Sequence, residues 1–277
     1  MNASGSGGAS AADLDGVLLV DKPAGVTSHD VVADVRRRLG RGVKVGHAGT
    51  LDPFATGLLL LLVGRATRVQ RFLMALPKRY EVVARFGAVS NTGDPEGEIV
   101  ETGRVPEGDL SLPVGEIRQR PPAYSAVKVG GRRAYAIARA GESVSLPERT
   151  VSVFRFDELW REGERRGFVV ECSSGTYVRS LIADLGDAYC LSLRRLAIGD
   201  FDVAEAGGDL LGLNRALDFL PELWLDPEAA ARVAHGIPVP AERALEGHVR
   251  LVDEHGLVAL AEPGDDGRLQ PRVVLRT

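Results

Sequence analysis

The stretch that could do chemistry is residues 46–57, Gly-His-Ala-Gly-Thr-Leu-Asp-Pro-Phe-Ala-Thr-Gly. It lies between two apolar runs, Val43–Val45 and Leu58–Val63, which both read as strands. Glycine lets backbone approach a ligand or adopt positive φ, and Pro53 pushes Asp52 towards an extended conformation. A single carboxylate is thus presented on a stiff loop at the ends of strands, where catalytic groups gather. Between Val35 and Tyr80 it is the sole acid, among Arg36, Arg37, Arg38, Arg41, Lys44, Arg65, Arg68, Arg71, Lys78 and Arg79. Ten cations around one carboxylate point to a polyanion docking where the carboxylate works. The plainer alternative is an aspartate that caps a turn ahead of Pro53.

A lone carboxylate can act as nucleophile or general base. A glycoside hydrolase needs two facing carboxylates, and the central window holds one acid. There is no Walker loop, no dinucleotide fingerprint and no His/Cys cluster, since His29, His47, His235, His248 and His255 are scattered. No metal, nucleotide or redox cofactor is therefore expected.

The chain has 277 residues, 44% hydrophobic and 26% charged, enough for one large domain and a small one. No apolar run approaches the ~20 residues of a membrane span, and the first residues lack a basic-then-apolar signal pattern. Cys172 and Cys190 belong to no C-x-x-C pair, which argues against a zinc site or disulfide framework and for a reducing cytoplasm. The net charge of −4 is unevenly spread: residues 1–200 carry +3 and residues 201–277 carry −7. Residues 117–141 add six cations and no acid. A patch matters more than a total for binding a polyanion.

The elements that must position Asp52 follow from pattern. Residues 1–15 read as a disordered tail. Val17–Val20 is a short strand, and Thr27 or Ser28 can cap a helix whose apolar face is Val31, Val32, Val35 and Leu39. A helix over Ala66–Leu76 stops at Pro77, and Tyr80–Val89 alternates as a strand. Asn91–Gly97 is turn-rich, residues 101–114 form a surface connection, and Ala134–Ala140 is a short helix. Val151–Leu159, Phe168–Cys172 and Leu193–Ile198 read as strands, with a helix over roughly 177–188. Short strands at Val249–Val252, Leu257–Ala261 and Val273–Leu275 predict a small β-barrel-like domain over 226–277, following a main domain over 16–225.

Four blocks in one order carry a resemblance. They are Lys22-Pro23 with Gly25, Thr27 and Ser28; Gly46–Pro53 followed by Ala55-Thr56-Gly57; Pro121-Pro122-Ala123-Tyr124-Ser125-Ala126-Val127-Lys128; and Gly175-Thr176-Tyr177-Val178-Arg179-Ser180-Leu181. From about Gly16 to Phe201 the chain resembles the TruB-type tRNA pseudouridine-55 synthase family. The resemblance implies an α+β fold: a large mixed, mainly antiparallel sheet flanked by helices, with a PUA-like C-terminal domain. It implies isomerisation of the uridine at position 55 of the tRNA T loop, by a cytoplasmic, monomeric enzyme needing no cofactor, metal or membrane.

The resemblance also assigns roles. Asp52 becomes the catalytic carboxylate, Arg179 its ion-pair partner, and Tyr80 the ring stacked on the target uracil. Tyr177 and Leu193 would line the uracil pocket, and His47 would stack into the RNA space that the flipped base vacates. Lys22, Lys44, Lys78 and Lys128 become phosphate contacts. Without the family context, Arg179 reads as a solvated helix arginine, His47 as a structural histidine, and Tyr80 and Leu193 as core. Two other functions fit the same blocks: the catalytic subunit of a guide-RNA pseudouridylation complex, and a tRNA-binding folding factor with weak catalysis. One departure stands out. Asp184-Leu185-Gly186 reaches Leu193-Arg194-Arg195 through only residues 187–192, where the family places a longer segment.

Overall fold

The computed structural model describes residues 14–125, 127–140, 142, 146–241 and 245–276. The side chains of Lys128, Ala136, Ala138 and Arg139 lie outside that description, as does most of the expected tail. The chain runs through β1 (Gly16–Lys22), α1 (Ser28–Leu39), β2 (Val45–His47) and β3 (Thr56–Val63). A 3-10 segment over Gly64–Val69 leads into α2 (Gln70–Ala75) and β4 (Lys78–Phe86). Short strands follow as β5 (Ala88–Ser90), β6 (Ile99–Glu101), β7 (Gly115–Gln119), β8 (Lys128–Val129) and β9 (Arg132–Arg133), then α3 (Ala134–Arg139). The first unit closes with β10 (Arg149–Glu162), β11 (Arg165–Cys172), α4 (Val178–Ala183), β12 (Ala188–Ile198) and β13 (Phe201–Asp202).

These strands build a nine-stranded sheet in the order β1-β3-β12-β4-β11-β10-β7, with β2 on β3 and β13 on β12. Only the β12–β3 pair is parallel, so the sheet is mixed and mainly antiparallel, as the resemblance implies. Period-two alternation divides β3 between two cores. Leu58, Leu60 and Leu62 face one cluster, while Leu59, Leu61 and Val63 meet Val32, Val43 and Val45 beneath α1. On β4 the same alternation turns Lys78, Tyr80, Val82, Ala84 and Phe86 inward.

Three local expectations are corrected. The helix expected at 177–188 ends at Ala183, and Ala188 already begins a strand. Gly186, at φ +136°, carries the chain between them in a conformation that side chains avoid. The segment read as one helix at 66–76 splits into a 3-10 stretch and the single turn and a half of α2. The short link 187–192 is a strand: Ala188, Tyr189 and Cys190 pair with Phe86, Arg85 and Ala84 of β4, and a bulge follows before Ser192.

Beyond α5 (Leu213–Ala216) come β14 (Glu222–Trp224), α6 (Pro227–Ala234), β15 (Val239–Pro240), β16 (Val249–Asp253), β17 (Gly256–Pro263) and β18 (Arg268–Val274). They form a five-stranded sheet, β14-β16-β17-β18-β15. Glu222–Trp224, on the near side of the expected 225/226 boundary, already pair with this second sheet. One face of the sheet covers α6 through Leu223, Ala230, Val233 and Val258. The other face, with Val252, Leu257, Leu260 and Val273, joins the core around Leu58, Leu60, Phe72 and Leu73 of the first unit.

Candidate active site

The loop 48–55 that carries Asp52 is held by its neighbours rather than by regular structure. Leu51 N–H donates to the Ser28 hydroxyl at 2.9 Å, and that hydroxyl donates to the Leu51 carbonyl at 3.2 Å. Lys22, wholly buried on β1, donates its Nζ to the carbonyls of Pro23 and Val26 at 2.8 Å and of Pro53 at 3.2 Å. All three ammonium protons are thereby used inside the protein. This corrects the phosphate-contact role expected of Lys22: its ammonium clamps the loop. The same correction applies to Lys78, which is buried and donates to the Met74 and Leu76 carbonyls, with burial drawing its pKa down to about 8. Lys44 stays exposed.

Arg179, on the first turn of α4, is 4% exposed. Its Nε lies 2.9 Å from Asp52 Oδ2, and its Nη1 donates to Asp94 Oδ2 at 3.0 Å and to the Thr92 carbonyl. Its Nη2 donates to the Tyr124 carbonyl at 2.8 Å, which brings the 121–128 block to the site. One guanidinium thus bridges two carboxylates. Asp94 is fixed in turn, its Oδ1 accepting from Thr92 Oγ1 at 2.6 Å and from Glu96 N–H at 3.1 Å. Asp52 keeps about a third of its side chain accessible. Burial raises its pKa, and Arg179 opposes that by favouring the charged form.

Tyr80 is buried behind the loop, directly opposite Arg195 of β12 in the sheet register. Burial raises the pKa of its phenol, while the Arg195 guanidinium beside it pulls the other way. Leu193, paired with Val82, packs in the same cluster as Leu51, Tyr80 and Val178. Tyr177 caps α4: its N–H donates to Gln119 Oε1 at 2.8 Å, its carbonyl accepts from Gln119 Nε2 at 3.0 Å, and Arg149 lies over its ring at 4.7 Å. His47 ends β2, its ring edge-on to His29 at 5.9 Å. Burial lowers its pKa, which keeps the imidazole neutral and suited to stacking on a base.

Asp52, Tyr80, Arg179 and Leu193 are therefore brought together, with Tyr177 two residues before Arg179 in the chain and His47 at the start of the loop. Asp94 and Gln119 do not stand out in the sequence, and Arg195 enters there only as the end of the Leu193-Arg194-Arg195 run, with no role. Asp94 sits in a turn that reads as ordinary surface, and its arginine partner lies 85 positions away. Among the described residues no group of three or more His, Cys, Asp or Glu side chains is placed to hold a metal ion, and no helix is long and apolar enough to cross a membrane.

Known proteins share this architecture. The model for the TruB family pseudouridylate synthase N-terminal domain matches residues 36–178, and that for the pseudouridine synthase II TruB C-terminal domain matches residues 221–275. The tRNA pseudouridine synthase B of Ectopseudomonas mendocina (strain ymp) is 39% identical over 295 residues, covering 95% of this chain and 96% of the relative. That of Nocardia farcinica (strain IFM 10152) is 46% identical over 243 residues, covering 80% of this chain and 76% of the relative. A chain in the crystal structure of a Cbf5-Nop10-Gar1 complex superposes with a TM-score of 0.70 at 28% identity, covering 94% of this chain and 84% of that one. The fold is that of the pseudouridine synthases. Within that class the chain belongs to the TruB family.

Proposed function

We propose that this chain converts the uridine at position 55 of the tRNA T loop to pseudouridine, with Asp52 as its catalytic carboxylate. The observation that carries this reading is the contact of Asp52 with Arg179 at 2.9 Å beside the Tyr80 phenol. Similarity to proteins named tRNA pseudouridine synthase B supplies the substrate class. The site is complete within one polypeptide, which fits a monomer, and two buried free cysteines fit a reducing cytoplasm.

The reaction breaks the C1′–N1 bond, turns the uracil, and joins C5 to C1′. The C5 proton is lost and N1 regains one, so nothing is oxidised. Asp52 starts it, either by attack on the sugar or base or by taking the C2′ proton. Arg179 favours the ionised form of that carboxylate against the burial that raises its pKa. Tyr80 offers a ring face to the uracil and a hydroxyl for the proton at C5. Tyr177 and Leu193 bound the base, and neutral His47 fills the stack that the base leaves. Exposed Lys44 and the 117–141 cations hold backbone phosphates, positioning the RNA without specifying it. The side chain of Lys128, expected among those contacts, lies outside the described residues.

The test is tritium release from an unmodified tRNA transcript carrying [5-³H]uridine, repeated with a transcript in which position 55 is cytidine. Release from the first and none from the second is expected. Tight binding with no release would make the chain a tRNA-binding folding factor instead.

A further inference from the structure

One buried guanidinium has no part in the steps above. Arg195, on β12, is 1% exposed. Its neighbour Arg194 pairs with Asp21 at 2.6 Å, whereas Arg195, among the described residues, has no such acid. Its donors go to neutral oxygens instead. Nε donates to the Leu58 carbonyl at 2.7 Å and Nη2 to the Gly49 carbonyl at 3.1 Å, and the β12–β4 register sets the guanidinium beside the Tyr80 side chain on the same face of the sheet. A buried cation without a counter-charge is costly, and an apolar side chain of similar volume would pack a strand more cheaply. What an apolar residue lacks is the planar fork, which reaches several oxygens in fixed directions at once.

The three groups it reaches belong to three separate segments. Leu58 lies on β3, Tyr80 on β4, and Gly49 stands two residues after His47 and three before Asp52. The backbones pass closely here, since a Cβ on Gly57 would fall 2.2 Å from the Arg195 backbone oxygen, and the guanidinium itself lies against Gly49. We propose that Arg195 is a positioning residue for the isomerisation, fixing the Tyr80 hydroxyl and the Asp52 loop in one frame around the uracil. This rests on the uridine reading above. Arg195 acts through Tyr80 and Gly49 and touches no substrate atom.

The test is a double-mutant cycle on the full-length protein with unmodified tRNA transcript. Arg195→Lys keeps the charge and loses the fork. It is expected to lower the single-turnover rate ~10–100-fold, the scale of an ångström-sized misplacement, with tRNA affinity within about 2-fold of wild type. In a Tyr80→Phe background the same substitution is expected to cost less than ~3-fold, because the hydroxyl it served is gone. Equal losses in both backgrounds, or a loss of affinity alone, would overturn the proposal and leave Arg195 as core support. Arg195→Gln, with a shorter planar amide, is expected to show the same coupling and serves if the lysine variant does not fold.

A second measurement needs no RNA. With 3-fluorotyrosine at position 80, the ¹⁹F resonance and its pH titration report the surroundings of the phenol directly. Arg195→Lys is expected to shift the resonance and move the midpoint to higher pH. An unmoved resonance sinks the proposal even if the enzyme is active. A wild-type protein that releases no tritium, yet shows the ¹⁹F shift, would overturn the uridine reading and leave the positioning contact standing.

Discussion

Replacing Asp52 by Asn changes one atom type and little shape. Arg179 keeps its second carboxylate, Asp94, at 3.0 Å, so no fully unpaired charge is left buried. The variant should fold and bind tRNA near the wild-type level, while turnover falls at least ~10³-fold; turnover within tenfold of wild type would remove Asp52 from the chemistry. The pH dependence tests the pair itself. Burial raises the Asp52 pKa and Arg179 restrains it. Arg179→Met removes the restraint and leaves Asp94 as a nearby like charge, so the neutral acid gains further. The acidic limb of the single-turnover profile should therefore move to higher pH, whatever the height of the plateau. A limb that moves down or stays would show that Arg179 does not control ionisation. Asp52 and Arg179 are legible in the sequence because each sits in a dense local motif. Asp94 is not, since its role exists only once a turn at 90–97 is folded against α4. Lys22 misleads for the opposite reason: a lysine beside a catalytic loop reads as a phosphate contact until burial shows its ammonium spent on three carbonyls.

The cation-rich window from 35 to 80 divides by element. The arginines around α2 face the C-terminal domain: Arg65 donates to the Leu275 carbonyl at 2.6 Å, Arg68 to that of Val274, and Arg71 lies 3.9 Å from Glu262. Arg79 pairs with Asp202 at 2.8 Å. The cations around the end of α1 are different. Arg36, Arg37, Arg41 and Lys44 line an open groove of about 970 Å³, continuous in sequence with β2 and His47. If this groove follows the RNA backbone, Arg41→Ala with Lys44→Ala should flatten the log–log salt dependence of tRNA binding by roughly 0.7–0.9 for each phosphate no longer held. Arg65→Ala with Arg68→Ala should leave that slope unchanged. The reverse pattern would place the RNA on the α2 side. The short link 187–192 also changes meaning once it is a strand. Its residues pair with β4, and Cys190 N–H donates to the Gly93 carbonyl at 3.0 Å, tying it to the Asp94 turn. Sequence shows the missing length but not the ladder that fills it. Inserting a family-length segment there should lower the unfolding midpoint and the single-turnover rate together. A faster enzyme of unchanged stability would show that the wild-type pocket is left incompletely closed.

At the scale of the whole molecule the two units are legible as a mixed sheet followed by short acidic strands, but their junction is not. The strands of the tail look half-apolar, and nothing in their spacing tells which partner each face will find. In the structure one face covers α6 and the other completes the core of the first unit, where Leu260 and Leu58 are both fully buried. The negative charge of the tail is used at the same seam, Glu262 lying between Arg71, His248 and Arg272. Exposed pairs of this kind contribute little, roughly 0–1 kcal/mol each, so the apolar face must supply most of the attachment. A shared core should make the two units unfold as one. Leu260→Ala, far from Asp52 in sequence, is expected to cost ~2–5 kcal/mol and, in a protein whose other tryptophan, Trp160 of β10, is replaced by Phe, to shift a single urea transition seen alike by Trp224 fluorescence in the tail and by far-ultraviolet circular dichroism of the whole chain. Two separated transitions, with only the tail's fluorescence moved by the substitution, would mean that the C-terminal domain is an independently folded attachment and that the core of the catalytic unit closes without it.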